Sequence, residues 1–358
     1  MSAIDYATLA AELVPAELHV LERPALGLTA VIAIDDLRLG PACGGIRWRA
    51  YPTPEEGVRD VLRLARAMSH KNALAELAYG GGKAVVLKDP VARGFDPAAA
   101  FPLLGELIEA LGGRYVTACD YGTTAAELAL VTSRTRHVLA EDAPGGLDLA
   151  TATGVVAAMR AIWRRVAGAD RLGGARVLVQ GVGDVGLALV RLLVGEGAEV
   201  AFAEIDEDRA ELCSVETGAA RVDARRIFER PVDLFAPCAA GEVVTEEVAR
   251  TIAARGIAGA ANNQLATPAA GRVLHARGVW YAPDFAVNAG AVIAGYECGA
   301  GRGAHALDVV RCIEARIARV FAAAAARSVP PHEAALALAR ERLDAAGPGA
   351  ARTVIASH

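Results

Sequence analysis

Short apolar runs alternate with longer stretches of helical periodicity along the C-terminal two thirds of this chain. Residues 177–179 form an uninterrupted apolar run of strand length. Residues 185–196 then place Val185, Leu189, Leu192 and Leu193 on one helical face. Residues 199–203 read as the next strand, and 232–236, 256–260 and 279–282 as three more, with helical segments between them. This alternation predicts a parallel, doubly wound sheet. A helix over 150–168, burying Val155, Met159, Ile162, Trp163 and Val166, leads into it. Residues 304–328 read as one long helix; Pro330-Pro331 interrupts it, and 332–346 is a last helix.

The first third is patterned differently. Leu28, Ala30, Ile32 and Ile34 alternate, which predicts a half-buried strand over 28–34, with 19–22 as its pairing partner. Gly40-Pro41-Ala42-Cys43-Gly44-Gly45 is either a hairpin bend or a place where backbone approaches a ligand closely. Thr53-Pro54-Glu55-Glu56 is a helix start with the elements of a capping box. Val58, Val61, Leu62, Ala65 and Met68 are its apolar stripe, and it ends near 69–72. Lys71 then lies where a helix end favours a cation, as a surface lysine or as an anion-binding one. Three glycines, Gly80–Gly82, lead into an apolar strand with Lys83 at its mouth. Partial desolvation there lowers an amine's pKa and makes it available as a base; the alternative is an exposed strand-end lysine. Asp96-Pro97 opens another helix and Gly112-Gly113 stops it. A short strand over 115–118 runs into Asp120, a catalytic acid or the cap of a helix starting near Thr124. The Pro- and Gly-rich stretch 141–146 sets a domain boundary near 140. The expected organisation is an N-terminal domain over 1–140, a dinucleotide domain over 141–324, and helices of 325–358 packing back on the first domain.

Gly181, Gly183 and Gly186 follow the 177–179 run at G-x-G-x-x-G spacing. The first allows a tight turn, the second lets a pyrophosphate approach the backbone, and the third lets helix and strand close up. The helix N-terminus supplies unpaired N–H groups to an anion. Gln180, Val182, Asp184 and Val185 complete this loop. Glu204 ends the following strand, where a carboxylate holds the ribose hydroxyls of NAD and repels the 2′-phosphate of NADP.

Composition narrows the class. The 358 residues are 54% hydrophobic and 22% charged, with a net charge of −5, which speaks against a nucleic-acid or anionic-membrane surface. Six dispersed cysteines without a C-x-x-C pair fit reduced thiols and a cytoplasmic location. The seven histidines form no metal-binding spacing, so no metal is expected. Acids at Asp5 and Glu12 interrupt the N-terminus, which argues against a signal peptide, and no apolar run is long enough for a membrane helix.

Gly-Pro-Ala-Cys-Gly-Gly (40–45), His-Lys-Asn-Ala (70–73), Gly-Gly-Gly-Lys-Ala (80–84), Asp-Tyr-Gly-Thr (120–123), Gln-Gly-Val-Gly-Asp-Val (180–185), Phe-Ala-Pro-Cys-Ala (235–239), Ala-Asn-Asn-Gln-Leu (261–265), Tyr-Ala-Pro-Asp (281–284) and Asn-Ala-Gly (288–290) stand in this order. With them the chain resembles the glutamate, leucine, phenylalanine and valine dehydrogenase family, and most closely its leucine and phenylalanine branch. The resemblance implies a two-domain α/β fold: an N-terminal substrate and oligomerisation domain, a Rossmann domain, and a cleft between them. It implies reversible oxidative deamination of an L-amino acid to a 2-oxo acid, ammonia and NADH, by a homo-oligomer, dimeric or octameric. Lys71, helped by the Gly44 backbone, would pair with the substrate carboxylate. Lys83 would be the general base, and Asp120 would exchange protons with the amine. Thr151 and Asn262 would orient nicotinamide and substrate, and Asn288 would line the cleft. Glutamate-specific members usually carry a lysine where this chain has Cys43, so an apolar side chain is expected. Cys43 and Gly295 are smaller than their counterparts in leucine dehydrogenases, which favours a bulky or aromatic one. Cys119, the 147–150 turn without its prolines, and Ala291 depart from the family pattern. Two competing readings are a 2-hydroxy-acid dehydrogenase, for which only His70 is at hand as acid/base, and a non-catalytic NAD-sensing protein.

Overall fold

The computed structural model describes residues 6–88, 95–348 and 353–357; Asp5 and the end of the 325–358 span at 349–352 and His358 lie outside the described residues. The chain divides into two compact units, Met1–Leu139 with Ala339–His358, and Ala140–Leu338.

The first unit contains α1 (Tyr6–Leu13), β1 (Glu17–Arg23), β2 (Leu28–Asp36), β3 (Ala42–Cys43), β4 (Ile46–Arg49), α2 (Pro54–Leu74), β5 (Gly80–Leu87), α3 (Pro97–Ala110), β6 (Tyr115–Val116) and α4 (Ala125–Thr132). β5 is central. It pairs antiparallel with β2, with Lys83 opposite Ala33, and parallel with β3 and with β4. Helices cover both faces of this sheet. Ile32, Ile34, Ala84 and Val86 pack with Phe101, Leu104 and Ile108 of α3. Val31, Ala33 and Val85 pack with Val58, Val61 and Leu62 of α2. β2 is therefore buried on both sides, and its alternation in sequence does not mark a solvent face.

The stretch 40–45 is no hairpin bend. Ala42 and Cys43 are a strand between β5 and β6. Gly80–Gly82 do not precede the strand but are its first residues. A Cβ on Gly80 would run into the Asp36 carbonyl, one on Gly81 into the Ser69 backbone, and one on Gly82 would lie 2.9 Å from the Tyr115 ring. These glycines answer to close packing. Lys83 consequently sits inside the sheet rather than at its mouth.

The second unit begins with α5 (Gly146–Ala167), β7 (Arg176–Gln180), α6 (Asp184–Gly195), β8 (Glu199–Ala203), α7 (Glu207–Thr217), β9 (Ala220–Arg221) and β10 (Leu234–Pro237). It continues with α8 (Glu246–Thr251), β11 (Gly256–Ile257), α9 (Pro268–Ala276), β12 (Trp280–Tyr281), α10 (Asp284–Val287), α11 (Gly290–Gly299), α12 (Ala306–Arg311), α13 (Ile313–Arg327) and the start of α14 (Pro331–Ala345). The strand order is β12-β11-β10-β7-β8-β9, every pair parallel. That is a doubly wound sheet whose order reverses between β7 and β10, the place where such sheets bind ligands beyond the strand ends.

Three boundaries differ from expectation. α5 starts at Gly146, because Gly145 and Gly146 at φ 76° and 85° make the entry turn that a longer side chain resists. The segment 304–328 is two helices, interrupted where the Cys312 N–H bonds the Val309 carbonyl (3.2 Å). The segment that rejoins the first unit starts at Ala339 rather than 325. α13 belongs to the second unit because Ile317, Val320 and Phe321 are buried, Phe321 edge-on to Trp280 with ring centroids 5.0 Å apart. The chain ends on β13 (Thr353–Ser357), which pairs parallel with β1.

Candidate active site

In the first unit, chemistry gathers around Asp120. The turn after β6 pins its backbone: the Asp120 N–H donates to the Thr123 hydroxyl (3.0 Å), which itself donates to the Ile46 carbonyl (2.7 Å). The cap of α4 is Thr124, in a capping box with Glu127. Asp120 is thus not the helix cap, and its carboxylate is available elsewhere. Its Oδ2 lies 3.1 Å from Lys83 Nζ and accepts a hydrogen bond from Arg47 Nε at 2.9 Å. Arg47 Nη1 bonds Asp60 of α2 at 3.0 Å, and Asp60 also accepts from the Tyr51 hydroxyl (2.8 Å) and from Arg63 (2.9 Å).

Burial sets the electrostatics. Lys83 is 5% exposed, and desolvation lowers its pKa; the Asp120 charge works against that shift, and the Arg47 charge reinforces it. Burial alone would raise the pKa of Asp120, but Lys83 and Arg47 outweigh it and bring it down to about 2. Lys71 lies half-buried in the last turn of α2. Its charge and that of Lys83 both act on the Cys43 thiol, so the two lysines share one neighbourhood. Burial still dominates at Cys43 and pushes its pKa up to about 12, leaving a neutral thiol. The like charge that acts on Lys83 most is Arg47, not Lys71.

Gly44 is tied into the sheet. Its N–H donates to the Val116 carbonyl (3.1 Å) and its carbonyl accepts from the Tyr115 hydroxyl. Both backbone groups expected to help Lys71 with a substrate carboxylate thus already have partners. Glycine is required there because a Cβ would collide with the Gly82 carbonyl of β5.

In the second unit, the glycine loop joins β7 to α6. Gly181 has φ 88° and its N–H bonds the Ala203 carbonyl (2.8 Å); a Cβ on Gly186 would strike the Gly181 carbonyl. Around Gly183 a Cβ would meet only Arg209 Nη1, at 3.3 Å, so this side of the loop is open next to a guanidinium. Asp184 and Val185 open α6. The Gln180 carbonyl accepts from the Cys238 N–H (2.8 Å), and its side-chain Oε1 is buried with no partner among the described residues. Glu204 accepts from the N–H groups of Val182 (2.8 Å), Ile205 (2.7 Å) and Asp206 (3.0 Å). Burial would raise its pKa; these N–H groups more than offset that and hold it below the usual range. A groove of about 510 Å³ beside it is lined by Glu204, Ile205, Arg221 and Val222. Open Gly183, anchored Glu204 and the adjacent groove fit a dinucleotide.

Asn262 and Asn288 come together after β11 and α10: Asn288 Nδ2 donates to Asn262 Oδ1 (2.8 Å) and to the Ala260 carbonyl (3.0 Å). Asn288 Oδ1 is buried without a partner among the described residues. Thr151 lies beside this turn, since a Cβ on Gly290 would be 2.8 Å from Thr151 Cα; its hydroxyl donates to the Leu147 carbonyl (3.0 Å). Lys83, Asp120 and Lys71 thus gather in the first unit, and Thr151, Asn262, Asn288, the glycine loop and Glu204 in the second. Arg47 and Asp60 were missed by the sequence reading. Their available signal was a charged residue in the strand-forming run directly after Gly44-Gly45, and an acid amid the buried stripe of α2.

The description "Glu/Leu/Phe/Val dehydrogenase, dimerisation domain" matches residues 23–137, and "Glutamate/Leucine/Phenylalanine/Valine dehydrogenase" matches residues 146–206 and 201–342. The chain is 40% identical to a leucine dehydrogenase of Geobacillus stearothermophilus over 324 residues, covering 89% of this chain and 88% of that one. It is 39% identical to a valine dehydrogenase of Streptomyces virginiae over 335 residues, covering 89% and 91%. The crystal structure of L-tryptophan dehydrogenase from Nostoc punctiforme superimposes with a TM-score of 0.82 at 30% identity, covering 95% of this chain and 99% of that one. A hetero-hexameric glutamate dehydrogenase from Thermus thermophilus, at 23% identity and a TM-score of 0.73, shares the fold. On these matches over both units, the chain belongs to the glutamate/leucine/phenylalanine/valine dehydrogenase family and is an amino-acid dehydrogenase.

Proposed function

We propose that this enzyme catalyses the reversible, NAD-dependent oxidative deamination of an apolar L-amino acid to the 2-oxo acid and ammonia, with Lys83 as base. The observation that carries this reading is the buried Lys83–Asp120 contact at 3.1 Å, with Asp120 pinned by Thr123. Lys71 holds the substrate carboxylate as a charged ammonium. The neutral Nζ of Lys83 takes a proton from the water that adds to the imine carbon, and Asp120 exchanges a proton with the departing amine. A bound nicotinamide would supply the acceptor for the hydride that leaves the substrate Cα. The Val182–Gly186 loop and Glu204 hold the dinucleotide, and Thr151, Asn262 and Asn288 orient its nicotinamide end and the substrate.

Glu204 favours NAD. Its carboxylate is fixed by three backbone N–H groups and stays ionised, so a 2′-phosphate would meet a charge that cannot turn away. Glu204→Ser is expected to lower the NAD-to-NADP ratio of kcat/KM at least about tenfold, equivalent to about 1.4 kcal/mol; an unchanged ratio would remove Glu204 from cofactor choice.

Cys43 favours an apolar substrate. A neutral, buried thiol offers no partner to a distal carboxylate, whose unpaired burial costs roughly several kcal/mol. The leucine and valine dehydrogenase relatives point the same way. The match of 23–137 to a dimerisation domain supports self-association, as a dimer or octamer.

A panel of L-amino acids with NAD at alkaline pH, followed by NADH absorbance, tests the function. Turnover is expected with leucine, valine or an aromatic amino acid and not with glutamate. Lys83→Ala should lower kcat by about 10²–10⁴-fold while NAD binding, measured by calorimetry, persists. The 2-hydroxy-acid reading is disfavoured at His70. Burial, Arg340 and Arg66 push its pKa down to about 4, which leaves it without a proton to give at neutral pH.

A further inference from the structure

Arg47 touches two carboxylates of the cluster at once. Its Nε bonds Asp120 Oδ2 and its Nη1 bonds Asp60 Oδ2, at 2.9 and 3.0 Å. Lys83 Nζ approaches the same Oδ2 of Asp120, at 3.1 Å. The amine and the guanidinium therefore meet on one oxygen, with the Lys83 side chain 6% exposed and that of Asp120 19%. Only a planar fork spans the two carboxylates in this way, and a guanidinium stays charged at every working pH. Asp60 is in turn held by the Tyr51 hydroxyl and Arg63, so Arg47 is anchored at its far end.

We propose that Arg47 is a positioning residue of the reaction: bridging Asp60 to Asp120, it fixes the Asp120 carboxylate beside Lys83 and brings its own charge close to the amine. This rests on the reading of Lys83 as base. The charged and titratable groups that act on Lys83 are Asp120 after β6, Arg47 on β4, Asp60 on α2 and Cys43 on β3; Lys71 of α2 acts on the same Cys43, Tyr51 bonds Asp60, and Tyr115 of β6 acts with Cys43 and Asp120. Among them Asp120 and Asp60 favour the charged amine, while burial and Arg47 oppose it. Arg47 and Asp60 thus act on Lys83 with opposite sign although they are bonded to each other.

That opposition separates a tuning role from a merely structural one. The experiment compares Arg47→Gln, Arg47→Lys and Asp60→Asn with the unaltered enzyme, full length and with NAD and L-leucine. One readout is the acid limb of the kcat/KM profile. The other is the pH dependence of Lys83 acylation by acetic anhydride without nucleotide, followed by mass spectrometry. Arg47→Gln is expected to move both readouts to higher pH by about one unit, a tenfold loss of neutral amine below the limb. Asp60→Asn is expected to move both to lower pH. Arg47→Lys keeps the charge but not the fork, so its limb stays closer to the unaltered enzyme while kcat falls. Lower activity with unmoved limb and unmoved acylation in Arg47→Gln and Asp60→Asn would overturn the inference. So would a shift of both in the same direction. If Arg47→Gln does not fold, Asp60→Asn alone decides by the direction of its shift. Failure of the parent reading looks different: Lys83→Met would turn over leucine, while acylation would still report what Arg47 does to Lys83.

Discussion

Lys83 and Asp120 show how one buried contact serves two ends. The contact lowers the pKa of the acid and, against burial, holds back the fall of the amine's. For Asp120 the sign is that of stability. Its pKa falls from 3.8 unfolded to about 2 folded, so the contact stabilises the fold fully above about pH 4. That contribution is lost as the pH drops from there through 2. Asp120→Asn is therefore expected to flatten the fall in stability between pH 4 and 2 in acid-unfolding curves followed by circular dichroism. An unchanged slope would mean that the carboxylate is not held in the folded protein as its contacts indicate. At this scale the sequence singled out Lys83 by the glycines before it and Asp120 by its place after a short strand, and the structure brings their side chains within 3.1 Å of each other. It left open whether Asp120 was a cap, because aspartates fill both roles; the Thr124–Glu127 capping box closes that question. Arg47 was legible only as a charged residue in a strand-forming run after Gly44-Gly45; that it bridges two carboxylates was not, because its partners Asp60 and Asp120 lie 13 and 73 residues away in sequence.

β5 carries the element-scale lesson. In sequence its three glycines lead into an apolar strand with Lys83 at its mouth. They are instead where α2, β3 and β6 press onto the strand, and that pressure places Lys83 in the sheet interior. The distinction is measurable. Gly81→Ala puts a methyl group into the Ser69 backbone and the Ala65 carbonyl, which cannot yield as a flexible side chain can. A loss of about 1–3 kcal/mol or more is expected from such overpacking, read as a fall in the denaturation midpoint. Gly195→Ala, in α6 with nothing within 4 Å of the added atom and no positive φ, is the control. It should be neutral or gain up to about 1 kcal/mol from helix propensity. Equal effects at the two positions would refute the packing account. The division between α12 and α13 was illegible for a related reason, as neither proline nor glycine marks Cys312.

For the molecule as a whole, alternation in sequence was enough for the doubly wound sheet of the second unit, because each strand there is paired with strands that follow the same rule. It was not enough for the first unit, whose mixed sheet is closed by β13 from the far end of the chain alongside β1. No local pattern announces a pairing across that separation. Each unit has its own sheet and its own buried clusters, while the glycine loop and Glu204 that would hold the nucleotide lie in the second alone. A ligand at 100 times its Kd raises the free energy of unfolding what it binds by about 2.7 kcal/mol. Hydrogen exchange with and without NAD is therefore expected to show slowing concentrated in β7, α6 and β8, by up to about a hundredfold where exchange needs that unit to open. Amides of β2 and β5 should slow markedly less. Slowing of the same size in β5 as in β7 would instead mean that the two units open as a single cooperative body, and the nucleotide would then stabilise the sheet that carries Lys83 as much as the one that binds it.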